Sequence, residues 1–458
     1  MSIVQNLWSA IQAPFFARWW AQAKVDAIDQ SIGNNYEFTA RDAADANDLP
    51  IIGYDADNTF RHGGEAKTPA RAPLVFHVYP NANLLSQTFF VNPTNRPLAL
   101  TLSAEIHTTA GSVAGAAATI THETLVGALQ QATGTGKAVL TATYNLHATA
   151  ETVQNGALAA NYRRESRNVN VANATPGAGL IVLQPGDSLS VKFSGTLTTL
   201  VGVTITAFVN PGCKYEFVSF YVAPAGTAVT TSLLTSLRPR KLLFGAALWQ
   251  TPEATAATLT LDVTKDASAT APGAGTTMLA ATANLKTAGL TYTQLGLSAT
   301  ASALQTISTD SIAVKISAAT TELAGLCVTL ALDGKQLETS VHYNAANSTV
   351  GTDEEIFIAD RDYEVLDYAA KWSHVGTSNF LLLTADTGTQ TPSTGTGLGT
   401  DNTNKGFDTT GTVNVPAFGT LTALNTRYLF KGDRLGLHNQ GTTGALAGAQ
   451  VSVRLRPM

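Results

Sequence analysis

Glu105 and His107 in "AEIH", with His122 and Glu123 in "THET", are residue types that ligate zinc when a fold brings them together. Neither stretch is an HExxH helix and no cysteine pair supports them, so both read as loop polar groups. Asp55, Asp57 and Asn58 in "YDADNTF" offer oxygen ligands but lack the glycine and closing glutamate of a calcium loop. In "QATGTGKAVL" the Gly136-Lys137 pair invites comparison with a phosphate loop. The position of its first glycine is Gln131, and Ala138 replaces the required hydroxyl. "DEEIFIADRDYEVLD" alternates acids with apolar residues as a strand with one solvated acidic face would, rather than as a glycosidase pair. No G-x-S-x-G and no Ser, His and Asp grouping occurs. The expectation is a protein that is not an enzyme, with no catalytic residue, metal or cofactor.

The elements that would have to position any site are repeated. "QPGDSLSVKFSGTLTTLVGVTITAFV", "ISTDSIAVKISAATTELAGLCVTLAL" and "FKGDRLGLHNQGTTGALAGAQVSVRL" are three copies of one strand-turn-strand unit. Their aspartates, Asp187, Asp310 and Asp433, are 123 residues apart each time, and each precedes a glycine, Gly202, Gly325 or Gly448, by 15 residues. Agreement at two anchors and two intervals indicates three homologous modules. The aspartate is expected to be a turn residue whose side chain accepts nearby backbone N–H groups.

Upstream, "LALTLSAEI" is matched with "ATLTLDVTK" and "FLLLTADTG", and "GKAVLTATYNL" with "GTTMLAATANL"; the third copy keeps only a loose echo in "GTGLGTDNTNKGF". "LVFHVY", "YEFVSFYV" and "EEIFIADRDYEVL" are taken as the opening strands. The spans are 72–212, 213–340 and 341–458. Leu189, Val191 and Phe193 alternate with Ser188, Ser190, Lys192 and Ser194, the period of a half-buried strand. Short strands broken by Gly, Pro, Asn and Thr, with almost no helix signal, predict an all-β chain of three tandem antiparallel sandwiches, with a jelly roll the favoured topology. The modules are expected to form either a rod or a ring around a pseudo-threefold axis.

The first module carries extra length around "NYRRESRNVNVANATPGAG" and in "TTAGSVAGAAATITHETLVGALQQATGTG". Insertions belong in surface loops, where partner contacts concentrate. Arg163, Arg164 and Arg167 in the first insertion and Arg238, Arg240 and Lys241 in "RPRK" read first as solvated loop charge, with contact to an acidic patch on a partner subunit as the alternative; the three in the insertion are the candidate partner contacts. Residues 1–71 differ from the rest: Trp8, Phe15, Phe16, Trp19 and Trp20 crowd one stretch, and "ARWWAQAKVDAIDQSI" is helix-competent with Pro14 at its start. The remainder, to Arg71, reads as an extended docking arm.

Of the 458 residues 44% are hydrophobic and 13% charged, with net charge -5, so hydroxyl and amide side chains must cover much of the surface. That balance favours β-sandwiches and gives no general attraction to nucleic acid or acidic membranes. Cys213 and Cys327 are the only cysteines, so no disulfide framework is expected. The amino terminus is not that of an ordinary secretory signal, and no apolar run approaches the ~18 residues of a membrane span.

"DVTKDASATAPGAGTTMLAATANL" followed by "STDSIAVKIS", and "IFIADRDYEVLDYAAKW" followed by "GDRLGL", resemble the repeated all-β domain of tailed-bacteriophage virion proteins. The resemblance covers Ala72 to Met458. It implies a virion component assembled in the host cytoplasm, most simply a capsid decoration or head spike protein. The implied partners are the major capsid protein or another virion subunit, and further copies in a homo-oligomer. A neck, tail or baseplate protein with receptor- or glycan-binding loops is the alternative. Thr309 departs from the repeated glycine before the aspartate, and the third module departs upstream.

Overall fold

The computed structural model describes residues 37–41, 48–54, 60–62, 65–67, 71–78, 86–159, 181–210, 215–222 and 230–458, apart from 256–257, 319, 321, 336, 345–352, 375–376, 405, 423–426 and 443–447. Residues 1–69 and 70–458 form two units. In the first, β1 (Glu37–Arg41), β2 (Asp48–Tyr54), β3 (Phe60–His62) and β4 (Glu65–Lys67) pair antiparallel in chain order, where the sequence suggests an extended arm. The expected helix lies outside the described residues.

In the second unit, the first third of the chain supplies β5 (Ala72–Val78), β6 (Gln87–Val91), β7 (Leu98–Thr109), β8 (Ala117–Glu123), β9 (Leu125–Val126), β10 (Leu129–Gln130), β11 (Lys137–Ala138), β12 (Tyr144–Asn145), β13 (Gln154–Gly156), β14 (Ile181–Leu183), β15 (Ser188–Ser194) and β16 (Val201–Asn210). The second supplies β17 (Tyr215–Tyr221), β18 (Thr231–Thr235), β19 (Arg240–Leu248), β20 (Thr260–Asp266), β21 (Thr276–Thr277), β22 (Ala283–Asn284), β23 (Thr293–Gln294), β24 (Gln305–Thr306), β25 (Ser311–Ile316) and β26 (Cys327–Asp333). The last supplies β27 (Thr339–Asn344), β28 (Glu354–Ile358), β29 (Tyr363–Lys371), β30 (Thr377–Asp386), β31 (Thr396–Gly397), β32 (Phe407–Asp408), β33 (Ala417–Phe418), β34 (Tyr428–Leu429), β35 (Arg434–Thr442) and β36 (Gln450–Pro457).

Each third builds the same two five-stranded antiparallel sheets. One sheet is ordered β13-β7-β16-β5, β23-β19-β26-β17 or β33-β29-β36-β27, with β14, β24 or β34 also paired to the long third strand. The other is β11-β8-β15-β6, β21-β20-β25-β18 or β31-β30-β35-β28, with β12, β22 or β32 on its fourth strand. Leu261 and Val263 of β20 and Ile312 and Val314 of β25 meet Leu242, Val328 and Leu330 from the opposite sheet in one apolar cluster. A comparable cluster fills each of the other two pairs. These are β-sandwich-like units. A bulge recurs at the same place in each second strand, at Phe89, Leu233 and Ile356.

Two strand matches read from the sequence are corrected. β8, not "LALTLSAEI", is the counterpart of β20 and β30; "LALTLSAEI" opens β7, the counterpart of β19 and β29. The supposed second insertion therefore contains the end of β7 and the whole of β8, both shared strands, and the β9–β10 hairpin is the paired element with no counterpart in the other two sandwiches. "EEIFI" is the second strand of its set; the first is β27, which begins at Thr339. The error has a physical source: neighbouring strands of a sandwich share composition and period, so a one-strand slip leaves the pattern intact.

The three sandwiches close on one another. β5, β17 and β27 touch pairwise, and each second strand packs against its neighbour's first sheet: β6 on β17 and β26, β18 on β27 and β36, β28 on β5 and β16. This cyclic sequence of contacts is a ring around a pseudo-threefold axis, not a rod.

Candidate functional site

The ring's axis and its three seams hold the main concentration of buried polar chemistry among the described residues. Alternate residues of β5, β17 and β27 line the axis in layers: Pro73, Phe217 and Ser340; Val75, Ser219 and His342; then His77, Tyr221 and Asn344. They leave two small cavities of about 20 Å³ each, each with room for about one water and not for an organic substrate.

Each seam is pinned by one equivalent bond. Val91 N–H donates to Thr329 Oγ1 at 3.0 Å, Thr235 N–H to Ser452 Oγ at 3.0 Å, and Ile358 N–H to Thr206 Oγ1 at 3.2 Å. The acceptors lie on β26, β36 and β16, 19 residues after each repeated aspartate. That hydroxyl was visible in the aligned repeats, yet its period-two position made it look solvent-facing. In the structure both faces of these strands are buried: Val203, Ile205 and Ala207 face the sandwich core while Thr204 and Thr206 face the seam. Ser188 and Ser190 depart from the expected solvated face in the same way. Gln130 Nε2 reaches Ser188 Oγ at 2.8 Å, and Ser190 Oγ donates to Glu123 Oε2 at 2.8 Å.

Around this shared bond the seams differ in chemistry. Between the first and second sandwiches the contact is aromatic, with Phe76 stacked on Tyr221 at 5.5 Å and Phe90 edge-on to Phe217 at 5.3 Å. The β9–β10 hairpin crosses it, Gln130 N–H donating to Leu290 O at 2.8 Å and Tyr292 N–H to Ala128 O at 3.1 Å. This part of the insertion therefore makes contact within the chain.

The second seam is ionic. Arg240, read from sequence as solvated charge, is 2% exposed and paired with Glu216; Arg238 is also buried. His342 Nε2 lies 2.5 Å from Glu216 Oε1, and its Nδ1 lies 2.9 Å from Ser452 Oγ. Burial, then the guanidinium charges of Arg240 and Arg238, hold the imidazole well below its usual range. It is neutral, donating from Nε2 to Glu216 and accepting at Nδ1 from Ser452. Burial also lowers Arg240 to about 10.

The third seam is mixed. His77 Nε2 is 2.7 Å from Glu354 Oε2, which also accepts from Tyr343 OH at 2.7 Å, and Thr204 Oγ1 donates to Glu355 O at 2.6 Å. Phe208 and Phe357 meet edge to face. Glu354 and Glu355 are thus buried, where the sequence suggested a solvated acidic face. An acid can alternate with apolar residues because the strand lies between two packed surfaces, not at one.

The repeated aspartates sit at the turns entering β15, β25 and β35. Asp187 Oδ2 accepts Gln184 N–H at 2.9 Å, Asp310 Oδ2 accepts Ile307 N–H at 3.0 Å, and Asp433 Oδ2 accepts Phe430 N–H at 2.8 Å. Their own carbonyls accept from Asn92, Ser236 and Ala359, all at 2.8 Å. Gly202, Gly325 and Gly448 stand at φ 58°, 61° and 62° near the start of the last strands, a left-handed geometry that favours glycine.

The metal-type residues are not loop groups: all four are buried on β7 and β8, each held by a hydrogen-bonding side chain, and they do not converge. Glu105 Oε1 pairs with His107 Nδ1 at 3.0 Å on β7, and His122 Nε2 pairs with Asp187 Oδ2 at 2.8 Å from the other sheet. Glu123 accepts from Thr121, Ser190 and Gly134, and burial pushes it up to about 7. No cluster of metal-binding side chains occurs among the described residues. Lys137 opens the short strand β11, continuing from the turn that holds Gly136. Trp8, Phe15, Phe16, Trp19, Trp20, Asp55, Asp57, Asn58, Arg163, Arg164 and Arg167 lie outside the described residues. No helix among those described is long and apolar enough to cross a membrane. No protein-family model matches the chain, and no curated protein matches it.

Proposed function

We propose that the chain is a non-enzymatic structural component of a tailed-phage particle, a capsid decoration or head spike protein that docks through residues 1–69. The supporting observation is the ring: three equivalent N–H to hydroxyl bonds tie three sandwiches into a single-chain counterpart of a trimer. In this reading each sandwich is a jelly roll, because its first four strands alternate between two sheets and its first and last lie side by side, an arrangement common in capsid and lectin domains. Buried, hydrogen-bonded seams suit a rigid part that carries load rather than turning over a substrate. A ring completed within one chain also makes a further homotrimer unnecessary for stability.

The test is sedimentation with particles that lack the protein, comparing the whole chain with a chain starting at Ala70. That start keeps Arg71, whose Nη1 pairs with Asp360 Oδ2 at 3.0 Å. The shortened chain is expected to keep the unfolding midpoint of the ring and to lose particle binding. Undiminished binding would overturn the docking role of residues 1–69. Binding to host surface glycans in place of particles would favour the receptor-binding alternative.

A further inference from the structure

The third seam differs from the others in being closed without a covalent connection. The chain itself joins the first sandwich to the second between β16 and β17, and the second to the third between β26 and β27. The third meets the first only through side-chain and backbone contacts, and there an unusual set of acids is buried.

Glu151, Leu290 and Asn414 are equivalent. Each lies three residues before β13, β23 or β33, and each donates its N–H to the matching carbonyl of His107, Trp249 or Trp372. All three have left-handed backbones, φ 54°, 59° and 61°. Leu290 and Asn414 accept through their carbonyls from the preceding sandwich, from Gln130 and Ala269. Glu151 holds that place at the third seam. It is 6% exposed, and neither carboxylate oxygen has a hydrogen-bond partner among the described residues.

The groups facing it come from both sandwiches. From the third come Arg434 on β35, Asp386 on β30, Glu355 on β28 and Asp353 just before it. From the first come His107 and, beside it on β7, Glu105. His107 is engaged with Glu105, and His438 with Asp353 at 2.7 Å. Glu354 is engaged with His77 and Tyr343. Among the described residues Arg434 is the one guanidinium facing Glu151, Glu355 and Asp386, and each of its nitrogens already donates a bond: Nε to Glu355 Oε1 at 2.9 Å, Nη1 to Gly388 O at 2.7 Å and Nη2 to Gln390 O. Glu355 Oε2 and Asp386 Oδ1 are likewise buried with no hydrogen-bond partner among the described residues, so charge on either carboxylate is incompletely offset.

We propose that the seam between the third and first sandwiches is a proton-held clasp, closed while the buried acids Glu151, Glu355 and Asp386 around Arg434 remain partly protonated and loosened when those protons leave. Three buried carboxylates around one cation cannot all ionise without an uncompensated buried charge. Burial pushes Glu151 up to about 7 and Asp386 to about 6, and it raises Glu355 well above the carboxylate range. In an opened seam these acids return to about 4. The closed form therefore binds more protons. Its advantage is complete below about pH 4 and declines as pH rises through 6 and 7, the opening constant growing by up to about tenfold per pH unit for each proton released. This inference does not depend on where the protein acts.

Hydrogen exchange of the full chain between pH 5 and 8.5, corrected for the intrinsic chemical rate, tests it. Peptides covering 201–210 and 354–358 are expected to exchange at least about tenfold faster at pH 8 than at pH 5. Those covering the first seam, 87–91 with 327–333, should stay level, and those covering the second, 231–235 with 450–455, should respond in the opposite sense, opening more at pH 5 because His342 gains a proton when that seam opens. Glu151→Asn, which copies the residue already accommodated at Asn414, is expected to flatten that slope. Asp386→Asn provides the same reading if the first variant does not fold. Equal pH response at all three seams, or an undiminished slope in both folded variants, would overturn the clasp.

Discussion

Ile358 N–H donates to Thr206 Oγ1 across 152 residues of sequence, joining the second strand of the last sandwich to the final strand of the first. Its two counterparts have the same geometry. Replacing Thr206 or Thr329 by Val, or Ser452 by Ala, keeps the shape nearly unchanged but leaves a buried N–H without an acceptor, a cost of about 1–3 kcal/mol. Ser452 also accepts from Gln450 and donates to His342, so its variant should lie at the upper end. Urea unfolding of the three single variants checks the order, Ser452→Ala being the least stable.

Thr309 stands at φ 94°, where its counterparts Gly186 and Gly432 stand at 82° and 90°. A β-branched residue held there is strained by about 1–3 kcal/mol, partly offset by the entropy that glycine would lose on folding. Thr309→Gly is therefore expected to raise the thermal midpoint, whereas Gly432→Thr should lower it. A lower midpoint for Thr309→Gly would show that the threonine side chain has a compensating contact.

The turn aspartates should separate by how many donors each satisfies. Asp187 accepts from Gln184, Leu125 and His122, whereas Asp310 and Asp433 each bond the N–H three residues back. Asp187→Ala is expected to cost most, about 2–3 kcal/mol, and Asp310→Ala about 1 kcal/mol. Asp310→Asn retains an acceptor oxygen and should recover much of the loss. Chemical denaturation of these variants would expose a different order.

The repeat, the all-β class and the turn geometry were legible because they depend on local pattern: the 123-residue interval, period-two alternation and a Gly-Asp turn. The ring was not. It depends on single hydroxyls such as Thr206 and Ser452, placed on strand faces that alternation assigns to water. Glu151 carries no signal in the sequence for a related reason. Its meaning comes from equivalence with Leu290 and Asn414, which lie in irregular segments that no strand pattern aligns. Arg240, Glu354 and Glu355 were read as solvated because charge is normally exposed, and only a surface buried between modules reverses that expectation.

The ionic seam gives the largest expected effect. Arg240 lies in a buried set with Glu216, Arg238 and His342, and its Nη2 also reaches Ser340 Oγ at 3.0 Å. Arg240→Met removes the closest cation from Glu216 and strands a buried carboxylate, which should cost about 3–5 kcal/mol. Removing both charges in Arg240→Met with Glu216→Leu leaves no stranded carboxylate, so the pair is expected to be more stable than the single arginine variant. His342 then loses its acceptor at Nε2, so full recovery is not expected. Adding His342→Leu should close part of the remaining gap. A double variant no more stable than Arg240→Met alone would show that packing of the guanidinium, and not its charge, holds the second and third sandwiches together.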